Sequence, residues 1–598
     1  MIDQVEVTRP PASAAGSAAK AWQRALEMTA PIGRHPALTL PLVIDTVAER
    51  LGAAPALLSD GETLSYRDLA VRSKRYAGWA LRQGISKGDV VALMMPNSPA
   101  YLAIWLGIVR AGGVVALVNT NLTGASLRHS LEIVAPKHAI VGASFLDAVA
   151  AIRSHLPNGC QIWAHGGDGH GLPRIEEALG EESDVAGPAC PTPALTDRAL
   201  YIYTSGTTGL PKAAAVSHLR LMQWTHWFAG MMDIAPSDRM YCCLPMYHSI
   251  GGVVAVGAPL VAGASVFIRE RFSASRFWND VAEQDCTLFQ YIGELCRYLV
   301  AAPPHPREQA HRLRLACGNG LRRDVWEEFQ SRFAIPQILE FYAATEGSFS
   351  LYNAEGKPGA IGRIPSFLAH RFPVALVKSD VETGAPARGA DGFCVRCAPD
   401  EPGEAVGKIA DGGGRFEGYT DAEASAKKVL RNVFAEGDCW YRTGDLMRRD
   451  RAGYFYFVDR LGDTFRWKGE NVSTGEVEEV IAACPGVAEV VVYGVTVPGA
   501  EGRAGMVAIV PGEGFDLARL RDHLVERLPD YARPVFLRLR DGIATTGTFK
   551  PQKQQLAAQG CDPAAIGEDC YFDDRASGAY VWLDAGLYRR IASGEVRL

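Results

Sequence analysis

The sequence predicts an α/β protein in two parts. A large, multi-subdomain N-terminal domain combines α/β layers with a β-rich subdomain, and a small α+β C-terminal domain follows. Three observations carry this. Strand-like and helix-like segments alternate from about Leu38 to about residue 320, the pattern of a parallel-rich core. After Gly359 short strands and turns dominate as far as Phe457, with the run Gly412-Gly413-Gly414 among them. Near Asp459 the pattern resets to a short α+β succession. A chain of 598 residues exceeds what one hydrophobic core holds. The expected divisions are a flexible tail over 1–37, a large domain over 38–459 and a small domain over 460–598.

Residues 1–20 are rich in Ala, Ser and Pro and carry Asp3 and Glu6 without an apolar h-region, so they are no secretory signal. Leu42–Leu51 reads as a helix, with Pro41 suited to its start and Gly52 just past its end. Leu57–Leu64 reads as a hairpin with an Asp60-Gly61 turn. Tyr66–Gln83 is helical with Ser65 as N-cap. Asp89–Met95 is a buried strand, Ser98–Ala111 a helix ended by Gly112-Gly113, and Val114–Leu117 another strand. In the small domain, Thr474–Ala483 and Leu517–Arg527 read as helices. Val487–Val492, Gly505–Val510 and Val535–Leu539 read as strands.

Apolar content of 48% and charged content of 21% suit a soluble enzyme. A net charge of −6 lacks the basic footprint of a nucleic-acid binder. The most apolar run, Ala103–Val118, contains Arg110 and falls short of the roughly 20 residues a span needs. No transmembrane helix is expected, and peripheral association with a membrane surface stays open. The 13 cysteines are scattered. Cys394-Val395-Arg396-Cys397 has no second pair or histidines at ligand spacing, so it reads as small structural residues and not a zinc site. A reduced, cytoplasmic chain follows.

The richest stretch is Thr204-Ser205-Gly206-Thr207-Thr208-Gly209-Leu210-Pro211-Lys212. Glycines let backbone N–H groups approach an anion, and hydroxyls and a lysine add donors. It is a phosphate cradle by composition, but not a Walker loop, which opens a helix. Here the strand-like Ala199–Tyr203 precedes it and Ala213–Val216 follows. Ser217 is the N-cap of a helix over Leu219–Met232. Further along, Ala316-Cys317-Gly318-Asn319-Gly320, following a strand, suits backbone approach by a planar ligand. Tyr342-Ala343-Ala344-Thr345-Glu346 sets an aromatic four residues before a carboxylate. Tyr441-Arg442-Thr443-Gly444-Asp445 ends an apolar-aromatic stretch with a carboxylate in a turn.

In this order, with Asp459-Arg460 and a late Lys550, these segments resemble the adenylate-forming superfamily over roughly residues 38–598. Gly318–Arg322, Phe465–Thr474, Thr546–Lys550 and the C-terminal run from Tyr580 are similar to its fatty-acid-transport-protein or very-long-chain acyl-CoA synthetase branch. The resemblance implies a fatty acid–CoA ligase that uses ATP, Mg²⁺ and coenzyme A. The fatty carboxylate attacks the α-phosphate and expels pyrophosphate. The thiol of coenzyme A then takes the acyl group from acyl-AMP.

The resemblance assigns Thr204, Ser205, Gly206, Thr207, Thr208, Gly209 and Lys212 to the β- and γ-phosphates. Glu346 would hold Mg²⁺, with Thr345 near the α-phosphate. Tyr342 would stack on adenine beside Gly318, Asn319 and Gly320. Asp445 would accept from the ribose hydroxyls, assisted by Arg460. Lys550 would bridge carboxylate and α-phosphate. The small domain is expected to be mobile and to rotate between half-reactions, bringing Trp467, Lys468 and Gly469 to the pantetheine channel. Gly462 stands where relatives carry a hinge Asp or Lys, and Phe549 where many carry Gly.

Leu244–His248 matches the border of the acyl pocket in relatives. His248 is a candidate for its neck, and a structural histidine is the equal alternative. Gly251 and Gly252 follow, with Gly252 at the position of an aromatic gate in some relatives. An open tunnel there would favour long chains, since each buried CH₂ contributes about 0.8 kcal/mol. The rival is that both glycines only allow close helix packing. Three other functions stay open: a ligase for a bulky bile-acid- or sterol-type acid, a fatty-acid uptake protein with secondary ligase activity, and a ligase that loads a carrier protein.

Overall fold

A computed structural model describes residues 17–157, 159–179, 193–205, 210–347, 349–380, 383–409, 416–498, 500–545, 552–596 and 598. The chain divides into two compact units, Met1–Pro365 with Arg415–Lys427, and Ser366–Gly414 with Lys428–Leu598. The β-rich segment thus groups with the C-terminal region, where a boundary at residue 459 was expected. Asp459 gives the reason. It is buried and accepts hydrogen bonds from Thr464 and Thr474, which stitches the Tyr454–Arg460 strand of the β-rich sheet to the helix Thr474–Ala482.

The first unit contains two sheets. One has six strands in the spatial order Gln161–His165, His138–Gly142, Val90–Met94, Val114–Leu117, Arg198–Ser205 and Pro211–Ser217. All pairs are parallel except the last, an antiparallel hairpin. The other has eight strands and is parallel at its centre. There Arg239–Cys242, Leu288–Ile292, Leu315–Asn319 and Ile338–Ala343 run side by side. Val114–Leu117 and Leu288–Ile292 are buried at every position, which is why they read as continuous apolar runs. The expected helix at Tyr66–Arg82 starts on Ser65 with a capping box to Asp68. The predicted helix after the cradle, His218–Met231, starts on Ser217.

The second unit holds a β-rich sheet in the order Tyr454–Arg460, Cys439–Arg449, Gly403–Lys408 and Val374–Val377. A five-stranded sheet comes next, Val487–Val495, Ala504–Pro511, Phe536–Leu539, Asp569–Asp574 and Ala579–Trp582, packed with the helices Thr474–Ala482 and Leu517–Arg527. Asp445 was expected in a turn and lies instead inside the Cys439–Arg449 strand. Likewise Gly318 and Asn319 belong to the Leu315–Asn319 strand and do not follow it. Among the described residues, no helix is long and apolar enough to cross a membrane.

The flexible tail expected over 1–37 needs correction from residue 18 onward. Ala18–Thr29 is a helix that buries Ala21, Trp22 and Ala25. It lies on the His218–Met231 helix closely enough that a Cβ at Gly230 would sit 2.6 Å from the Ala25 backbone. Trp22 meets Trp227 and Tyr352 edge-on, with ring centres 5.6 Å apart in both pairs. Small residues flanking one large aromatic make this stripe, and composition alone reads it as part of a flexible tail. Trp22→Ala should lower the unfolding free energy by about 3–5 kcal/mol in urea titration. An unchanged midpoint would contradict a packed helix.

Candidate functional site

In the first unit the hairpin is built as a cradle requires. Thr204 sits directly across from Lys212, and Ser205 across from Pro211, at its open end. Gly206, Thr207, Thr208 and Gly209 lie outside the described residues, as does the Ser205 side chain. A third chain segment completes the arrangement. Ala215 N–H donates to Gly418 O and Thr420 N–H donates to Ala213 O, both at 3.0 Å, so residues 418–420 run beside the hairpin. Glu417 fixes their start by accepting from the Ser217 N–H at 2.7 Å. This placement sets the Lys212 ammonium 5.7 Å from the centre of the Tyr419 ring.

Tyr419 joins the cradle to the metal-ligand candidate. Thr204 and Glu346 are the side chains that act on its hydroxyl. Burial first, and then the charge of Glu346, hold its phenol well above the usual range, so it stays protonated. Glu346 is 7% exposed. Beside it, the Thr345 hydroxyl lies 3.3 Å from Ser249 Oγ, and the Thr345 carbonyl accepts from Arg220. Arg220 also donates to the Gly347 carbonyl, holding the turn from both sides. Cradle, Thr345 and Glu346 are therefore brought together. Tyr419, Glu417 and Arg220 were not found in the sequence. Tyr419 left only one signal, an aromatic in a Glu417-Gly418-Tyr419 run shortly after a glycine run.

Among the described residues no cluster of three or more metal-ligating side chains exists. One carboxylate suits Mg²⁺, which keeps most of its waters and takes substrate phosphates as the remaining ligands. Cys394 and Cys397 are free thiols. Gly318 pairs with Tyr291 on one side and Glu340 on the other. A Cβ at Gly318 would run into the Tyr291 backbone and ring, so the strands require glycine there. Asn319 Oδ1 is buried without a hydrogen-bond partner, an acceptor suited to a ligand N–H. Tyr342, near the end of the Ile338–Ala343 strand, is partly exposed and lies 5.9 Å from the Phe349 ring. Beneath them Glu340 is fully buried, accepts from Tyr291 and Leu321 N–H, and has its carboxyl pushed by burial up to about 8.

In the second unit Asp445 and Arg460 are cross-strand partners, with the guanidinium 3.7 Å from the carboxylate. Gly444 before them has φ +77°. Its N–H donates to the fully buried Glu404, which Arg442 grips at 3.0 and 2.7 Å. This brace was also missed by sequence reading. Gly462 lies exposed, with open space where a side chain would project. Lys468 and Gly469 form a two-residue hairpin turn, both at positive φ (+52° and +81°), and both are exposed. Lys468 pairs with Asp530 at 3.7 Å. Trp467 does not share their surface: it is 2% exposed, in the core of this unit. Lys550 lies outside the described residues.

The open tunnel expected at Gly252 is also corrected. Ser249–Gly257 is π-helical. A Cβ on Gly251 would strike the Pro245 carbonyl, and one on Gly252 the Met246 carbonyl, with the Trp105 ring at 3.2 Å. Both glycines permit close packing against the segment that carries His248, whose N–H donates to Pro245 O at 3.1 Å.

The chain matches the family model described as AMP-binding enzyme over residues 44–394, and that of its C-terminal domain over 476–550. It is 42% identical over 570 residues to long-chain fatty acid transport protein 1 of Mus musculus, covering 94% of this chain and 88% of that one. Its fold is similar to ATP-bound MatB from Rhodopseudomonas palustris, with TM-score 0.73, 24% identity and coverage of 87% and 99%. It is also similar to a fatty acyl CoA synthetase of Mycobacterium tuberculosis, with TM-score 0.62, 24% identity and coverage of 87% and 98%.

Gly252→Ala should lower the melting temperature, because its methyl group meets a backbone carbonyl that cannot move alone. A parent-like melting curve would show that space exists there after all.

Proposed function

The chain belongs to the AMP-binding enzyme family, and from that premise we propose that it is an ATP-dependent long-chain fatty acid–CoA ligase. The observation that carries this reading is the link from Thr204 through Tyr419 to Glu346, beside Lys212. It gathers a cation, hydroxyls and the candidate metal-binding carboxylate around one tyrosine. Relatives named for long-chain fatty acid transport support an acyl chain as the acid.

A carboxylate is a poor electrophile because its leaving group would be an oxide. Adenylation replaces that group. A carboxylate oxygen forms a bond to the α-phosphorus, and the bond from that phosphorus to the pyrophosphate oxygen breaks. The loop of Thr204 to Lys212 holds the departing pyrophosphate, and Lys212 meets its growing charge. Glu346 would hold Mg²⁺, which neutralises phosphate charge when bound. Thr345 faces the α-phosphate. Asn319 Oδ1 accepts from the adenine amino group, Tyr342 stacks on the ring, and Gly318 and Gly320 let the backbone approach. Asp445 takes the ribose hydroxyls, oriented by Arg460. Lys550 bridges the carboxylate and the α-phosphate.

In the second step the sulfur of coenzyme A bonds to the acyl carbon. The bond from that carbon to the AMP oxygen breaks, and the thiol proton is released. Lys468 and Gly469 supply the surface for the pantetheine arm, and Gly462 is the residue that absorbs the rotation.

Purified protein with ATP, Mg²⁺, palmitate and coenzyme A should release pyrophosphate and form palmitoyl-CoA. Acyl-AMP without thioester would instead point to a carrier protein as acceptor. Turnover of bulky acids but not palmitate would replace the substrate class. Lipid binding without turnover would favour uptake. Lys550→Ala should slow adenylation roughly 100- to 1,000-fold while sparing thioester formation from supplied palmitoyl-AMP. Glu346→Ala should raise the Mg²⁺ concentration needed for half-maximal rate, and an unchanged metal dependence would remove that ligand.

A further inference from the structure

Arg220 is the third residue of the helix His218–Met231, which starts where the Pro211–Ser217 strand carrying Lys212 ends. Its root is fixed from several sides. The Arg220 N–H donates to Ser217 Oγ at 3.2 Å. Glu417 in turn accepts from the N–H and the hydroxyl of Ser217, at 2.7 and 2.5 Å. One helical turn on, the centre of the Trp224 ring lies 5.3 Å from the guanidinium carbon. The residue as a whole is 8% exposed.

Two backbone carbonyls accept from this guanidinium, that of Thr345 at 3.3 Å and that of Gly347. They flank Glu346. The Gly347 N–H donates to Ala344 O at 2.9 Å and closes a turn over the same residues. The peptide unit before Glu346 is therefore held by Arg220, and the unit after it by the Ala344 carbonyl. Peptide units are planar, so fixing both sets the direction in which the Glu346 side chain leaves the backbone. Burying a guanidinium is costly, and the turn already has its own backbone bond. What the arginine adds is orientation. Its donors form a rigid fork that suits two acceptors two residues apart, whereas an ammonium is a single point.

We propose that Arg220 is a positioning residue for the metal, fixing the direction of the Glu346 carboxylate from the helix that follows the cradle strand. The proposal rests on the assignment of Glu346 to Mg²⁺. Nη1 and Nη2 each donate to the turn, so the arginine acts through that turn and not on the nucleotide. Losing a residue that orients a metal ligand typically costs about 10- to 100-fold in metal affinity.

The test reads binding without turnover. The probe is α,β-methylene ATP, whose bridge between the α- and β-phosphorus cannot break to release pyrophosphate. It is titrated into the full chain by calorimetry, with and without Mg²⁺. Arg220→Met should weaken binding of the Mg²⁺ complex about 10-fold or more and leave the metal-free affinity close to the parent value. Arg220→Lys, which keeps the charge but lacks the fork, should recover only part of the loss. Where Arg220→Met fails to fold, Arg220→Lys carries the same readout, with a smaller loss confined to the Mg²⁺ complex. Parent-like binding of both forms, or equal weakening with and without the metal, overturns the proposal when Glu346→Ala itself loses the metal's contribution. If Glu346→Ala keeps that contribution, the metal assignment falls and the role of Arg220 falls with it.

Discussion

The cross-strand pairing of Thr204 with Lys212 is the constraint on which the proposed chemistry depends. An antiparallel register fixes both residues at the mouth of one hairpin, whose second strand is buried from Ala213 to Ser217. The segment carrying Tyr419 can then dock only where free backbone groups of the Pro211–Ser217 strand remain. Its hydroxyl reaches Thr204 and Glu346 together. Rigid backbone, and not loop sequence alone, places a cation and a carboxylate beside the stretch that reads as a phosphate cradle. In a site of low dielectric such fixed charges act far more strongly than in water.

The second unit uses the same device, a buried carboxylate saturated by hydrogen bonds. Glu404 fixes the strand irregularity at Gly444 before Asp445, through Arg442 and a backbone N–H. Asp459 fixes the start of the next region through Thr464 and Thr474. In each case a carboxylate removed from water is matched by donors, as burial demands. Both lie next to residues assigned to substrate: Glu404 on the strand paired with that of Asp445, and Asp459 one position before Arg460 on its own strand.

Local signals made much of this legible in the sequence. Ser65 and Ser217 were readable because an N-cap is defined by its own side chain and the next few residues. The cradle hairpin was legible because its composition is unusual. The Ala18–Thr29 helix was not, because its stability comes from Trp22 meeting rings more than 200 positions away. Tyr419 was not, because its role exists only once a distant segment pairs beside the hairpin. Gly252 was read as open space, but a glycine in sequence does not say whether its missing side chain leaves a void or a contact. Here it leaves a contact with the Met246 carbonyl.

Isotope transfer tests the central claim, attack of a fatty carboxylate on the α-phosphate, most directly. Palmitate labelled with oxygen-18 in both carboxylate positions is turned over with ATP and coenzyme A, and the products are read by mass spectrometry. Adenylation predicts one labelled oxygen in AMP and none in pyrophosphate. Label in orthophosphate with ADP as co-product, or no label in any phosphate, would contradict it.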